Sequence, residues 1–102
     1  MMEDKELLEL AAKAAGLEFS YKNEFAGGKI KTGDCTVWWT PLHDDGDRYR
    51  LARTLGISID FEDCCAWKRL PSGSLIQEYW GGECGDEANA IVRVAAEIGR
   101  TK

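Results

Sequence analysis

The sequence predicts an α+β domain: a three-layer α/β/α sandwich in the order α-ββ-α-ββ-α, with about four mostly antiparallel strands. Three observations predict it. Three stretches place apolar residues at helical spacing, and between them lie paired segments that alternate with period two. The predicted strands also carry large apolar side chains on both faces, so helices are expected on both sides of the sheet.

The first helix is predicted over Glu3–Ala15, with Asp4 as N-cap and Leu7, Leu8, Ala11, Ala14 and Ala15 as its apolar stripe. Glu6 and Glu9 suit the positive end of its dipole. Gly16 stands where a left-handed residue stops a helix. Leu17–Tyr21 alternates as a half-buried strand. Lys22–Asp34 holds Gly27, Gly28 and Gly33 and reads as a loop or hairpin arm, with Ile30 packed inside it. Cys35–Thr40 is the next strand, with Trp38 and Trp39 on opposite faces.

Asp45–Leu55 is the second helix. Asp44 caps it, Asp47 gives a shortened capping box, and Leu51, Ala52 and Leu55 form the buried stripe up to Gly56. Ile57–Glu62 alternates most strictly, with Ile57, Ile59 and Phe61 on one face. Asp63 marks a bulge before Cys65–Lys68. Pro71-Ser72-Gly73 is a turn, and Ser74–Trp80 returns as the partner strand. Beyond Gly81, Gly82 and Gly85, the last helix is predicted over Glu87–Ile98. Asp86 caps it, Ala88, Ile91, Val92, Ala95 and Ile98 are buried, and Arg93 pairs with Glu97 on the exposed side.

At 102 residues the chain is read as a single domain, 1–102, with one modest core. The net charge of −5 has the wrong sign for neutralising phosphates, so no nucleic-acid partner is expected. Arg48, Arg50 and Arg53 spread over two helical turns and read as a solvated surface. No apolar run is long enough to span a bilayer, so no membrane partner is expected either. The acidic start lacks the basic-then-apolar pattern of a secretory signal, which points to the cytoplasm. Cys35, Cys64, Cys65 and Cys84 are then expected to be reduced, most of them as small packing residues. A zinc site from Cys35, His43, one of Cys64 and Cys65, and Cys84 matches no usual ligand spacing.

The sharpest polar cluster is His43, Asp44, Asp45 and Asp47. Three carboxylates within four residues could hold a hard divalent cation, but no calcium-loop spacing follows. The same carboxylates suit the N-terminus of the second helix, and that capping reading explains them without a ligand. Trp39 and Pro41 read as packing and turn residues. Among four tryptophans, Trp80, near Glu78 and Glu83, is the candidate exposed aromatic for a protein interface. No catalytic set, metal set or cofactor motif is found, so the catalytic, metal and cofactor readings are all none.

The residues Trp39-Thr40-Pro41-Leu42-His43-Asp44-Asp45-Gly46-Asp47, then Arg50-Leu51-Ala52 and Leu55-Gly56, resemble a segment of a family of small phage and prophage proteins, the phage ABA sandwich domain. There the segment reads Trp-Asn-Pro-Leu, an acidic Asp-Gly-Asp stretch, and a helix ending in Leu-Gly. The helix Ala90–Arg100 is similar to the family's ending. Thr40 stands where the family has asparagine, which puts any role of that side chain in doubt. The resemblance implies an α/β/α fold, a phage or prophage origin and residence in a bacterial cytoplasm; it implies no activity. Together these readings favour a non-enzymatic accessory protein that binds a host or phage protein, as a monomer or weak homodimer. The alternatives are a divalent-metal-binding domain or small hydrolase using His43–Asp47, and a structural homodimer component.

Overall fold

A computed structural model describes residues 3–22, 27–80 and 86–101. Helix α1 spans Asp4–Ala15, immediately after an extended Glu3. The N-cap is Glu3 rather than Asp4, because the Glu3 carbonyl already accepts the Leu7 N–H and so opens the helix one residue earlier. Gly16 ends α1 at φ 72°, and the N–H groups of Gly16 and Leu17 return to Lys13 and Ala12. Helix α2 (Asp45–Leu55) ends the same way, with Gly56 at φ 69° and Ile57 donating to Ala52. Both are Schellman-type stops that need a residue without a Cβ penalty. Helix α3 spans Asp86–Arg100. Its exposed ion pair joins Glu97 to Arg100 at 3.3 Å, three residues apart, in place of the predicted pairing with Arg93. Asp86, predicted as the N-cap of α3, is instead its first helical residue, and the linker Gly81–Gly85 lies outside the described residues.

Six strands form two antiparallel meanders: β1 (Phe19–Lys22), β2 (Gly27–Thr32) and β3 (Cys35–Trp39), then β4 (Ser58–Asp60), β5 (Cys65–Arg69) and β6 (Leu75–Tyr79). The order is therefore α-βββ-α-βββ-α, which corrects the predicted four-strand sandwich. Strand β2 was hidden by its glycines. Gly28 sits opposite Tyr21 and Trp39, and a Cβ there would lie 2.7 Å from the Phe19 ring, so the packing itself excludes a side chain. The second correction concerns Ile57–Glu62. Asp60 Oδ1 accepts the N–H groups of Glu62 and Asp63 at 3.0 and 3.1 Å, turning the chain after Asp60. The predicted bulge is thus a turn, and Phe61 is thrown out to 71% exposure. It passes through Cys64 at φ 54°, so Cys64 is a turn residue and not a strand neighbour of Cys65.

Helix α1 packs over β1 and β2, α3 packs over β5 and β6, and the largest interface joins α1 to α3. Leu7, Leu8, Ala11, Ala12 and Ala14 face Ala90, Ile91, Val92, Val94, Ala95 and Ala96 in one continuous core. Leu8, Val92 and Val94 are fully buried, each contributing about 1.5–3 kcal/mol. Small residues let the helices approach until Gly99 meets the Leu10 carbonyl oxygen, 2.0 Å from where a Cβ would sit. The predicted cover on both sheet faces is not found. Trp38 and Leu75 are each 47% exposed and Tyr79 is 63% exposed, so large apolar residues on the outer strand faces meet solvent instead of a third layer.

Candidate interaction site

The segment leaving β3 is held by its own carboxylates. Trp39 is buried and meets the edge of Phe19 at 5.3 Å, and Pro41 is fully buried. The N–H groups of His43 and Asp44 both donate to the Thr40 carbonyl, closing a tight turn. Asp44 Oδ2 accepts the Asp47 N–H at 2.8 Å, the N-cap bond expected of it. Asp47 does not complete a capping box with Asp44. Its Oδ2 reaches back to the Thr40 N–H at 2.9 Å, and its Oδ1 accepts Arg50 Nη2 at 2.7 Å. The Asp47 side chain therefore clasps the end of β3 to the first turn of α2.

Asp45 projects into solvent and pairs with Arg48, whose own side chain is buried, so Arg48 departs from the solvated surface predicted for the arginines. His43 is exposed. The four polar residues of the segment do not converge. Among the described residues, no group of three His, Cys, Asp or Glu side chains is placed to hold a metal ion. Cys35 is exposed, Cys64 half-buried, and buried Cys65 accepts a weak bond from Gln77 Nε2 at 3.5 Å; Cys84 lies outside the described residues. Trp80 is half-buried against the core with Phe61 at its edge, 5.8 Å away. Glu83, its predicted acidic neighbour, also lies outside the described residues.

What this segment does build is one wall of an open groove of about 480 Å³. Ile30, Val37 and Trp39 of the first sheet supply its floor, Leu17 closes one end, and Asp47, Arg50, Leu51 and Thr54 of α2 form the other wall. Register places Phe19, Ile30, Val37 and Trp39 on one face, so this is the core-side face of the sheet. It continues past the helices, and Val37 on it is 45% exposed.

Strand β3 borders the groove as an edge strand, and its residues Cys35–Trp38 are all exposed. The other edges carry charge: Lys22 in β1, Asp60 in the three-residue β4, Glu78 in β6. Cys35–Trp39 carries neither charge nor proline, the devices that usually discourage a further strand from pairing. Sequence reading missed this site because both faces of the Cys35–Thr40 strand were expected to lie under helices. The usable signal was an uncharged, β-branched and aromatic run at a chain position that turned out to be an edge.

The opposite face of the same sheet is different in kind. Alternation and register group Ser20, Lys22, Lys29, Lys31, Thr36 and Trp38 there, and Lys29 Nζ lies 5.1 Å over the Trp38 ring. No protein-family model matches the chain, and neither does any curated protein or solved structure.

Proposed function

We propose that this chain is a non-enzymatic protein-interaction domain, a small accessory protein of the phage or prophage kind suggested by its Trp39–Gly56 segment. It receives an extended segment of a partner polypeptide along β3. The observation that carries the reading is the exposed, uncharged edge strand fronting an apolar groove. An added strand gains main-chain hydrogen bonds from the edge and side-chain pockets from the groove, a general mode of peptide recognition. The carboxylates near His43 act as helix cap and clasp, which leaves the interaction surface as the chemistry to explain.

The test is capture from host lysate by tagged wild-type chain and by Val37→Lys, with bound proteins identified by mass spectrometry. Val37→Lys places a charge on the edge and in the groove at a position that is itself 45% exposed. One stoichiometric partner retained by wild type and lost by the variant is the expected result. A partner retained equally by both would move the site elsewhere.

A further inference from the structure

Resting on that strand-addition reading, we infer that the partner segment alternates apolar and acidic residues. Side chains of a strand laid beside β3 must alternate between the two faces of the first sheet. Those two faces have opposite chemistry. On the core side an incoming side chain meets Val37, Ile30 and Leu51 in the groove, whose α2 wall carries the mutually paired Asp47 and Arg50. On the outer side it meets Trp38 and Thr36, with Lys29 and Lys31 directly behind them in register. Lys29 leans over Trp38, which carries its charge from the middle strand toward the open edge. Among the described residues of the three strands and the turns beside them, the acids near the lysine face are Glu18, opposite Lys31, and Asp34 in the turn before β3, against Lys22, Lys29 and Lys31. In a chain of net charge −5, this face is therefore a local reversal of sign. A segment of the form apolar–acidic–apolar–acidic satisfies both faces at once. An apolar–basic one places like charges beside Lys29 and Lys31, and a uniformly apolar one gains nothing from their charge.

The experiment measures binding of labelled synthetic peptides of about seven residues, a usual strand length, by fluorescence anisotropy against the full chain. One peptide alternates valine with glutamate and the other valine with lysine. The expected result is tighter binding of the glutamate peptide by about tenfold or more, weakening with added salt. Lys29→Glu/Lys31→Glu should invert the preference, a gain of binding that a misfolded variant cannot show. Val37→Lys should abolish binding of both. Equal affinity for the two peptides in wild type overturns the alternation rule while leaving strand addition standing. Binding of neither overturns the site itself. Two further outcomes overturn the inference in favour of another occupant. One is binding of oligothymidine that Lys29→Glu/Lys31→Glu removes and Val37→Lys does not. The other is a dimer in sedimentation that Val37→Lys dissociates.

Discussion

The first sheet follows α1 through the Gly16–Leu17 stop, and the second follows α2 through the Gly56–Ile57 stop. Both are three-stranded meanders, and both leave an aromatic pair near the last strand, Phe19–Trp39 in one and Phe61–Trp80 in the other. They differ in how far a helix reaches. Helix α3 covers β5 and β6, so Ile76 on the last strand packs against the core. Helix α1 covers β1 and β2, and beyond it the third strand of the first sheet runs on with Val37 half open. The difference teaches that one supersecondary plan can be closed by a helix in one copy and left with an open edge strand in the other, the edge on which the strand-addition proposal rests. Which role a strand takes depends on whether a helix lies on it.

The change that breaks the comparison most severely is Gly99→Ala. It inserts a methyl against the Leu10 carbonyl, which is backbone and cannot swing aside. A loss of about 3 kcal/mol is expected in chemical denaturation, with both sheets unfolding together. Next, the paired substitutions Ile76→Ala and Val37→Ala compare the covered and uncovered strands directly. The first should cost about 2 kcal/mol and the second about 0.5 kcal/mol or less. Equal losses would show that β3 is covered in solution by something absent here. Asp47→Ala should cost about 1.5–3 kcal/mol, because it removes the bonds to both Thr40 and Arg50 and leaves the Thr40 amide without its acceptor. Asp44→Ala, losing a single exposed cap bond, should cost about 1 kcal/mol. The order of the last two, read from urea midpoints, separates a clasp from a simple cap.

Helix α2 was legible from end to end, because Asp44 and Gly56 are local signals whose geometry is fixed within a few residues. The α3 stripe was legible too, but Ala90, Val94, Ala96 and Gly99 were not seen as buried. Small residues have no periodic signature when a helix is enclosed by another helix and a sheet together. Strand β2 was lost because glycine signals a turn until one knows that the Phe19 ring needs the space. The overlong fourth strand failed on a side-chain turn at Asp60, which periodicity does not register. For the site, His43–Asp47 was found as a cluster and its capping reading holds at Asp44. The groove it borders was invisible, since it depends on where α1 stops relative to β3.

Among the described residues, the most extensive interface between elements joins the first to the last. Leu10 meets Gly99 across 89 positions of sequence, and the apolar face of α1 is closed by α3. During synthesis, then, α1 must leave the ribosome with the face that α3 fills still open. Folding of this core waits on a contact of long sequence separation, the docking of α3 onto α1.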